Sequence, residues 1–298
     1  MHTLGFCMKC YIVTPTYNSI QWLKGCVRSV AEQVAPGIEV HHHVQDGASQ
    51  DGTAEWLAEW QSAHSDVPGY RFTFESAKDA GMYDAINIAW DRMPDDADMT
   101  AHLNCDEQYL PGVLKRIAEC WLKKPKADVL LGTYIVLNKD YQYVCHRRPV
   151  QPRAWSSRLN CTCITNSSFY SARMFRRLVP RFDTRWKCQG DLVFYRDLLR
   201  LNVRFEVIDL VTSLFVSTGS NLAWTERAHQ EWLEICAEQP VFWRKVNGFV
   251  YRWVNFKRRL VDLGAETPKS YSVFEKESGV RSEYDITAPT VIWRWELM

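Results

Sequence analysis

No apolar run in this sequence reaches the ~18 residues that a membrane-spanning helix needs. Met1 to Cys10 lack the basic stretch followed by an apolar stretch that marks a secretion signal, so the chain is expected in the cytosol. Net charge is nearly absent. Thirty-six Lys and Arg against 35 Asp and Glu leave a formal +1, so no global field draws the chain to nucleic acid and any polyanion contact has to be local. There is no internal repeat and no low-complexity tract, which excludes solenoid and tail-like architectures. Zinc-finger spacing is missing too: Cys7-Met8-Lys9-Cys10 and Cys161-Thr162-Cys163 have no second half at the right distance. The ten cysteines therefore read as small buried residues or free thiols. Asn160-Cys161-Thr162 and Asn166-Ser167-Ser168 fit the glycosylation acceptor pattern, but without a secretion signal these are chance matches.

What is present is a core. Hydrophobic residues make up 46% of 298, enough for one large α/β domain with appendages. Tyr11-Ile12-Val13 is a β-prone run halted by Thr14-Pro15-Thr16-Tyr17-Asn18. Helical spacing follows over Ile20 to Val34, carried by Trp22, Leu23, Cys26, Val27 and Val30. Ile38 to Val44 predicts a second strand, ending in the turn-forming Gln45-Asp46-Gly47-Ala48-Ser49. A helix from Thr53, a strand at Phe72 to Phe74, a helix over Ala80 to Arg92 and a strand over Met99 to Leu103 continue the alternation. That order predicts a doubly wound, mostly parallel sheet, whose ligand edge lies beyond the strands' carboxyl ends. The polar clusters all fall at that edge.

The second half is less regular. Val129 to Leu137 and Tyr141 to His146 read as strands, a possible hairpin around Asn138-Lys139-Asp140. Met174 to Leu178 and Asp191 to Leu201 read as helices, and Phe205 to Leu210 as a strand. Thr225 to Leu263 reads as largely helical, and the stretch from Pro268 is unassigned.

Three sites carry chemistry. Leu103-Asn104-Cys105-Asp106-Glu107 puts two adjacent carboxylates at a strand end, where a hard divalent ion bridging phosphates would satisfy them; a solvated turn is the plain alternative. Asp46-Gly47-Ala48-Ser49-Gln50-Asp51-Gly52-Thr53 offers a carboxylate and glycines that let backbone approach a ligand, or simply a capped loop. In Asp79-Ala80-Gly81-Met82-Tyr83-Asp84-Ala85-Ile86-Asn87 a polar stripe of Asp84 and Asn87 runs along an otherwise apolar helix. Further on, Phe242, Val246, Phe249, Val250 and Trp253 recur at helical spacing among Arg244, Lys245, Arg252, Lys257, Arg258 and Arg259. That pattern suits an anionic membrane surface or lipid-diphosphate acceptor, and equally a helix packed on the domain with its arginines in water.

Taken in order, these motifs resemble the family-two inverting glycosyltransferases of the GT-A fold, in the branch of bacterial polysaccharide synthesis. The resemblance spans roughly residues 9 to 220, with weaker matches at Phe182-Asp183, Gly190-Asp191-Leu192 and Ser217-Thr218-Gly219-Ser220. It implies a catalytic domain over 1–220 (donor half to about 110, acceptor half beyond) and a mainly helical extension over 221–298. Thr14, Pro15 and Tyr17 would line the nucleobase and ribose pocket and Asp46 would bond the base. Asp79 would lie beside the nucleotide, with Asp84, Asn87, Asn104 and Asp106 completing the donor set. Asp106 and Glu107 would hold Mn²⁺ or Mg²⁺, Glu107 departing from the family's usual aspartate. Asp191 would be the catalytic base, sitting at a helix start that lowers its pKa, with Asp183 on a supporting segment. The implied reaction moves a hexosyl group from a nucleotide-sugar, UDP-linked by family frequency, to the hydroxyl of a glycan or lipid-linked acceptor. A non-catalytic nucleotide-sugar-binding subunit and an enzyme modifying nucleic acid remain open beside it.

Overall fold

The computed structural model describes residues 7–219, 221–222, 225–264, 267–276 and 278–293, so the expected match at Ser220 lies outside the described residues. The first half alternates as β1 (Met8–Thr16), α1 (Ile20–Ala31), β2 (Ile38–Asp46), α2 (Thr53–Ala63), β3 (Tyr70–Ser76), α3 (Met82–Trp90) and β4 (Met99–His102). These four strands are parallel, in the order β3-β2-β1-β4. β1 is buried along nearly its whole length, as a strand covered on both faces must be. Register then fixes the loops: Thr16 lies opposite Asp46, and Asp46 opposite Ser76, so three strand ends meet at one edge.

Beyond β4 come β5 (Glu107–Tyr109), α4 (Val113–Lys123), β6 (Val129–Asn138), β7 (Tyr143–Arg147), β8 (Ser168–Ser171), α5 (Ala172–Leu178), α6 (Gly190–Arg200) and β9 (Phe205–Ser217). They extend the sheet to β3-β2-β1-β4-β8-β6-β9-β5, with β7 beside β6. The α/β sheet expected from sequence is present, and its antiparallel pairs (β4 with β8, β6 with β7 and β8, β5 with β9) gather in the second half. The β6–β7 hairpin turns where Asn138 Oδ1 accepts the N–H groups of Asp140 and Gln142 at 3.0 and 2.9 Å. β5 and β8 were not expected. At three and four residues they are too short to show a period. β5 sits at the sheet's far edge yet packs on α1, its Tyr109 N–H donating to Ser29 Oγ at 3.1 Å. The sheet therefore curls, and the corner of that curl is Asn104 to Asp106.

One face of the sheet buries Leu23, Val27, Leu114 and Ile117. The other is an aromatic stack, with ring centroids 5.4 Å apart for Trp90 and Phe182 and 4.4 Å for Phe182 and Phe194.

The C-terminal part is not only helical. After α7 (Glu226–Ala237) and α8 (Val241–Leu263) comes an antiparallel pair, β10 (Ser270–Phe274) and β11 (Arg281–Asp285). This pair is stitched to the large sheet. Gln108 Nε2 donates to Phe274 O and Phe274 N–H donates to Gln108 Oε1, both at 2.8 Å and buried. α8 lies on the segment after β7: Val250 and Val254 pack with Val150, and Arg258 Nε donates to Arg148 O at 3.0 Å.

Asn87 is a tie within the fold. Its Nδ2 donates to Phe182 O and its Oδ1 accepts the Phe182 N–H, each at 2.9 Å, which locks α3 to the aromatic stack. The expected ligand role for Asn87 gives way to this, because both ends of the amide are committed. Asn87→Ala is expected to cost about 2 kcal/mol of stability, since it strands two buried backbone groups. A denaturant titration measures it, and nucleotide affinity should stay within about twofold of the parent; a large loss of affinity with stability intact would return Asn87 to the donor site.

Candidate active site

The loops after β1 and β2 are tied to each other before any ligand arrives. Asn18 N–H donates to Ser49 Oγ at 2.7 Å, Gln50 N–H to Asn18 Oδ1 at 2.8 Å, and Ile20 N–H to Asp51 Oδ2 at 3.0 Å. Asp51 thus caps α1 from the neighbouring loop. Asp46 is wholly buried, and its oxygens accept from Ser49 N–H and from the hydroxyls of Ser49 and Ser76. It is a brace at the cleft floor, closed to solvent. Thr14 is buried against His42 Nε2 at 2.9 Å and Pro15 is buried beside it. Tyr17 alone of the three stands out, 62% exposed.

Between Tyr17 and Asp79 lies Gly47. A Cβ there would meet Asp79 Oδ2 at 3.1 Å and Tyr17 Cδ2 at 3.2 Å, so glycine keeps a narrow slot open between a ring and a carboxylate. Asp79 is half-buried, its carboxyl raised by burial and only partly restored by the Gly81 N–H it accepts at 2.8 Å. Asp84 turns away: its Oδ2 accepts Ala80 N–H at 2.9 Å as a helix cap. Lys187 Nζ donates to Ala80 O at 2.7 Å, tying this loop to the turn before α6.

Across the corner of the sheet, residues distant in sequence come together. Glu107 is 1% exposed; its Oε2 accepts Asn104 N–H at 2.8 Å, and its Oε1 is buried with no hydrogen-bond partner. Burial drives its pKa well up, and the charges of Asp106 and Asp191 push it further. Asp106 is half-buried and raised to about 6 by burial, with Asn221 Nδ2 donating to its Oδ2 at 3.3 Å. Asp191 is also raised to about 6 by burial, against the partial pull of the Tyr83 and Thr165 hydroxyls. This corrects the expectation that its helix start would lower it. Desolvation outweighs any pull from the helix start.

Two neighbours of this cluster were not foreseen. Asn166 is wholly buried beside Glu107 with both amide atoms unpartnered. In sequence its only mark is the Asn166-Ser167-Ser168 glycosylation pattern. Tyr83 reaches under α6, donating to Cys188 O at 3.4 Å and receiving the Asp191 N–H at 3.3 Å. Gly190 makes this possible, since a Cβ there would lie 2.5 Å from the Tyr83 ring.

The unpaired buried atoms here include Asn104 Oδ1, Glu107 Oε1, Asn166 Oδ1 and Asp191 Oδ1, an oxygen set that fits a hard divalent cation. Among the described residues no group of three or more His, Cys, Asp or Glu side chains is placed to enclose a metal. One or two carboxylates completed by donor phosphates is the arrangement Mg²⁺-type ions favour. Asp106, the less buried of the pair, would be the direct ligand, with the buried Glu107 behind it. A cavity of about 370 Å³ lined by Lys9, His41 and Arg71 opens at the other end of β1 to β3 and takes no part in this site.

The sequence profile of glycosyl transferase family 2 matches residues 11–180, more than half of the chain. The protein belongs to glycosyl transferase family 2. Solved structures with the same fold include S. aureus TarS 1–349 in complex with UDP-GlcNAc (TM-score 0.57, 17% identity, covering 77% of this chain and 64% of that one). The mannosyltransferase PcManGT from Pyrobaculum calidifontis, in complex with GDP-Man and Mn²⁺, aligns with TM-score 0.59 at 17% identity, covering 86% of this chain and 72% of that one. TarS itself aligns over 93% of this chain but 60% of its own, so the chain spans less than two thirds of these first TarS chains. No curated protein matches the chain. Among the described residues no helix is long and apolar enough to cross a membrane.

The turn that presents Asp191 hangs on one side chain. Glu231 of α7 accepts the N–H groups of Lys187, Cys188 and Gln189 at 2.8, 2.8 and 3.0 Å. Burial pushes its pKa up, but these donors and Arg227 outweigh that and hold it below the ordinary 4.5. A depressed carboxylate stabilises above its unfolded pKa and loses that contribution as pH falls through the folded one. Glu231→Gln is therefore expected to cost about 2 kcal/mol at neutral pH, the gap to the parent closing as pH drops below 4.5. Thermal unfolding across pH measures this; a gap independent of pH would mean the charge is not what holds the turn.

Proposed function

We propose that the chain is an inverting, metal-assisted glycosyltransferase that moves a sugar from a nucleotide diphosphate donor, UDP-linked in the first instance, to an acceptor hydroxyl in glycan assembly. The observation that carries this is that Asp191 lies within electrostatic reach of the adjacent pair Asp106 and Glu107, although it is far from them in sequence. The nucleobase enters the Tyr17–Asp79 slot, stacking on Tyr17 with Asp79 accepting from its edge, while Asp46 and Thr14 hold the walls. The diphosphate then reaches the Asp106 corner. Mn²⁺ or Mg²⁺ held there by Asp106, with Glu107 and Asn104 behind it, would neutralise charge on the leaving diphosphate.

Asp191 accepts the proton of the acceptor hydroxyl as that oxygen bonds to the anomeric carbon from the face opposite the diphosphate, which departs with the electron pair of the broken bond. Inversion follows from this back-side displacement. A carboxyl raised to about 6 is ionised at neutral pH yet more basic than an exposed aspartate, which suits a general base. TarS and PcManGT, whose structures hold nucleotide-sugars, support the donor class, and the Mn²⁺ of the latter supports the ion. The buried, proton-hungry Glu107 keeps one other reading in view, a nucleotide-sugar-binding subunit without turnover. Donor hydrolysis with Mn²⁺ separates the two.

Asp191→Asn should lower transfer by ~10²–10⁴-fold with donor affinity nearly unchanged, whereas Asp183→Asn, whose carboxylate is engaged by Arg185, should cost far less. In the parent, kcat/KM should fall as pH drops through about 6, where both Asp191 and Asp106 take up protons, and the acid limb should become shallower in Asp191→Asn. Near-parental transfer by Asp191→Asn, or joint loss of donor binding and transfer, would remove Asp191 from the role of base.

A further inference from the structure

α8 packs on the domain by one face only. Val250, Val254 and Arg258, four residues apart, are buried against the segment after β7. Asp262 adds a polar lock, its Oδ1 2.7 Å from His146 Nε2 and accepting Arg148 Nε at 3.0 Å. The helix is thus fully anchored without its opposite side.

That opposite side carries Phe242, Phe249, Phe256 and Leu263 at seven-residue intervals, 63%, 71%, 58% and 84% exposed, with Leu260 among them. Three residues on, and at the same interval, run Lys245, Arg252 and Arg259, all exposed. Among the described residues none of these three cations is in an ion pair. An apolar row beside a cationic row, running over about 30 Å of helix, is longer than a pocket filler requires. It matches a helix lying in the plane of an anionic bilayer, rings among the acyl chains and arginines at the headgroups. A second copy fits less well, because pairing the phenylalanine rows would bring cation rows together.

We infer that the exposed face of α8 docks the protein peripherally on an anionic lipid surface. The two sequence readings of this segment, packed helix or membrane helix, then hold at once on opposite faces. The consequence for the site follows from the chain path. α8 also grips the stretch before the carboxylate cluster, through Asn160 Nδ2 donating to Asn247 Oδ1 at 2.8 Å and through Trp155 and Trp253, ring centroids 4.7 Å apart. That stretch continues into Thr165 and Asn166. Docking therefore ties this stretch to the lipid-bound helix, and a lipid-linked acceptor would be the kind presented beside it. This last step rests on the transfer reading; the docking does not.

Flotation of the full chain with vesicles tests it. Binding is expected to vesicles of phosphatidylcholine containing one part in three of phosphatidylglycerol, and to be at least about tenfold weaker to phosphatidylcholine alone. Phe249→Ser with Phe256→Ser should weaken binding by roughly tenfold or more. Arg252→Gln with Arg259→Gln should weaken it on the anionic vesicles only. Both variants should melt like the parent and bind UDP with Mn²⁺ equally well in lipid-free buffer, so failure of docking is distinguishable from failure of the transfer reading. Absence of vesicle binding, or binding indifferent to both variants, overturns the inference. So does a parental dimer in sedimentation that the phenylalanine variant dissolves, since a second copy then covers the face.

Discussion

Three carboxylates drawn wholly or partly out of water, Asp106, Glu107 and Asp191, are the constraint around which the rest of the structure is arranged. Asp106, Glu107 and Asp191 each hold a proton more tightly than an exposed acid would, because burial opposes their charge and, for Glu107, the other two add to it. No packing argument favours such a cluster. Apolar residues of similar size would stabilise the fold better. Such a cluster of acids is relieved by positive charge, which is the need the proposed cation would meet.

Holding that cluster in place requires rigid neighbours, and the fold supplies them from remote parts of the chain. The curl that brings β5 beneath α1 sets Asp106 and Glu107 at the cleft. It is secured by Gln108, which joins the strand to Phe274 some 166 residues later. Asp191 is positioned from two sides, by Tyr83 beneath and by Glu231 gripping the preceding turn. The C-terminal residues after 221 are accordingly part of how the site keeps its shape, beyond being appended to it.

Much of this was legible in sequence where a residue type answers a local need. Strand ends followed by Pro, Gly and Asp marked the donor edge, and their order carried the family. Three kinds of feature were not legible. β5 and β8 are too short to leave a periodic trace. Asn87 looked like a polar stripe available to a ligand, and only the fold shows both its amide atoms spent on Phe182. Glu231, in a run of mixed helix, is indistinguishable from a surface glutamate until α7 is laid against the turn at 187–189. The raised pKa of Asp191 is hidden for the same reason: a helix start is visible in sequence and burial is not.

Proton exchange on binding tests most directly whether the buried acids are poised for a cation and a donor diphosphate. Calorimetric titration of the protein with UDP and Mn²⁺, near pH 6 and in two buffers of different ionisation enthalpy, counts the protons exchanged. If Asp106 sits near about 6 and Glu107 higher in the free protein, binding should expel close to one proton or more, and Asp106→Asn should reduce that number. Binding with no proton release, or release unchanged in Asp106→Asn, would contradict the account.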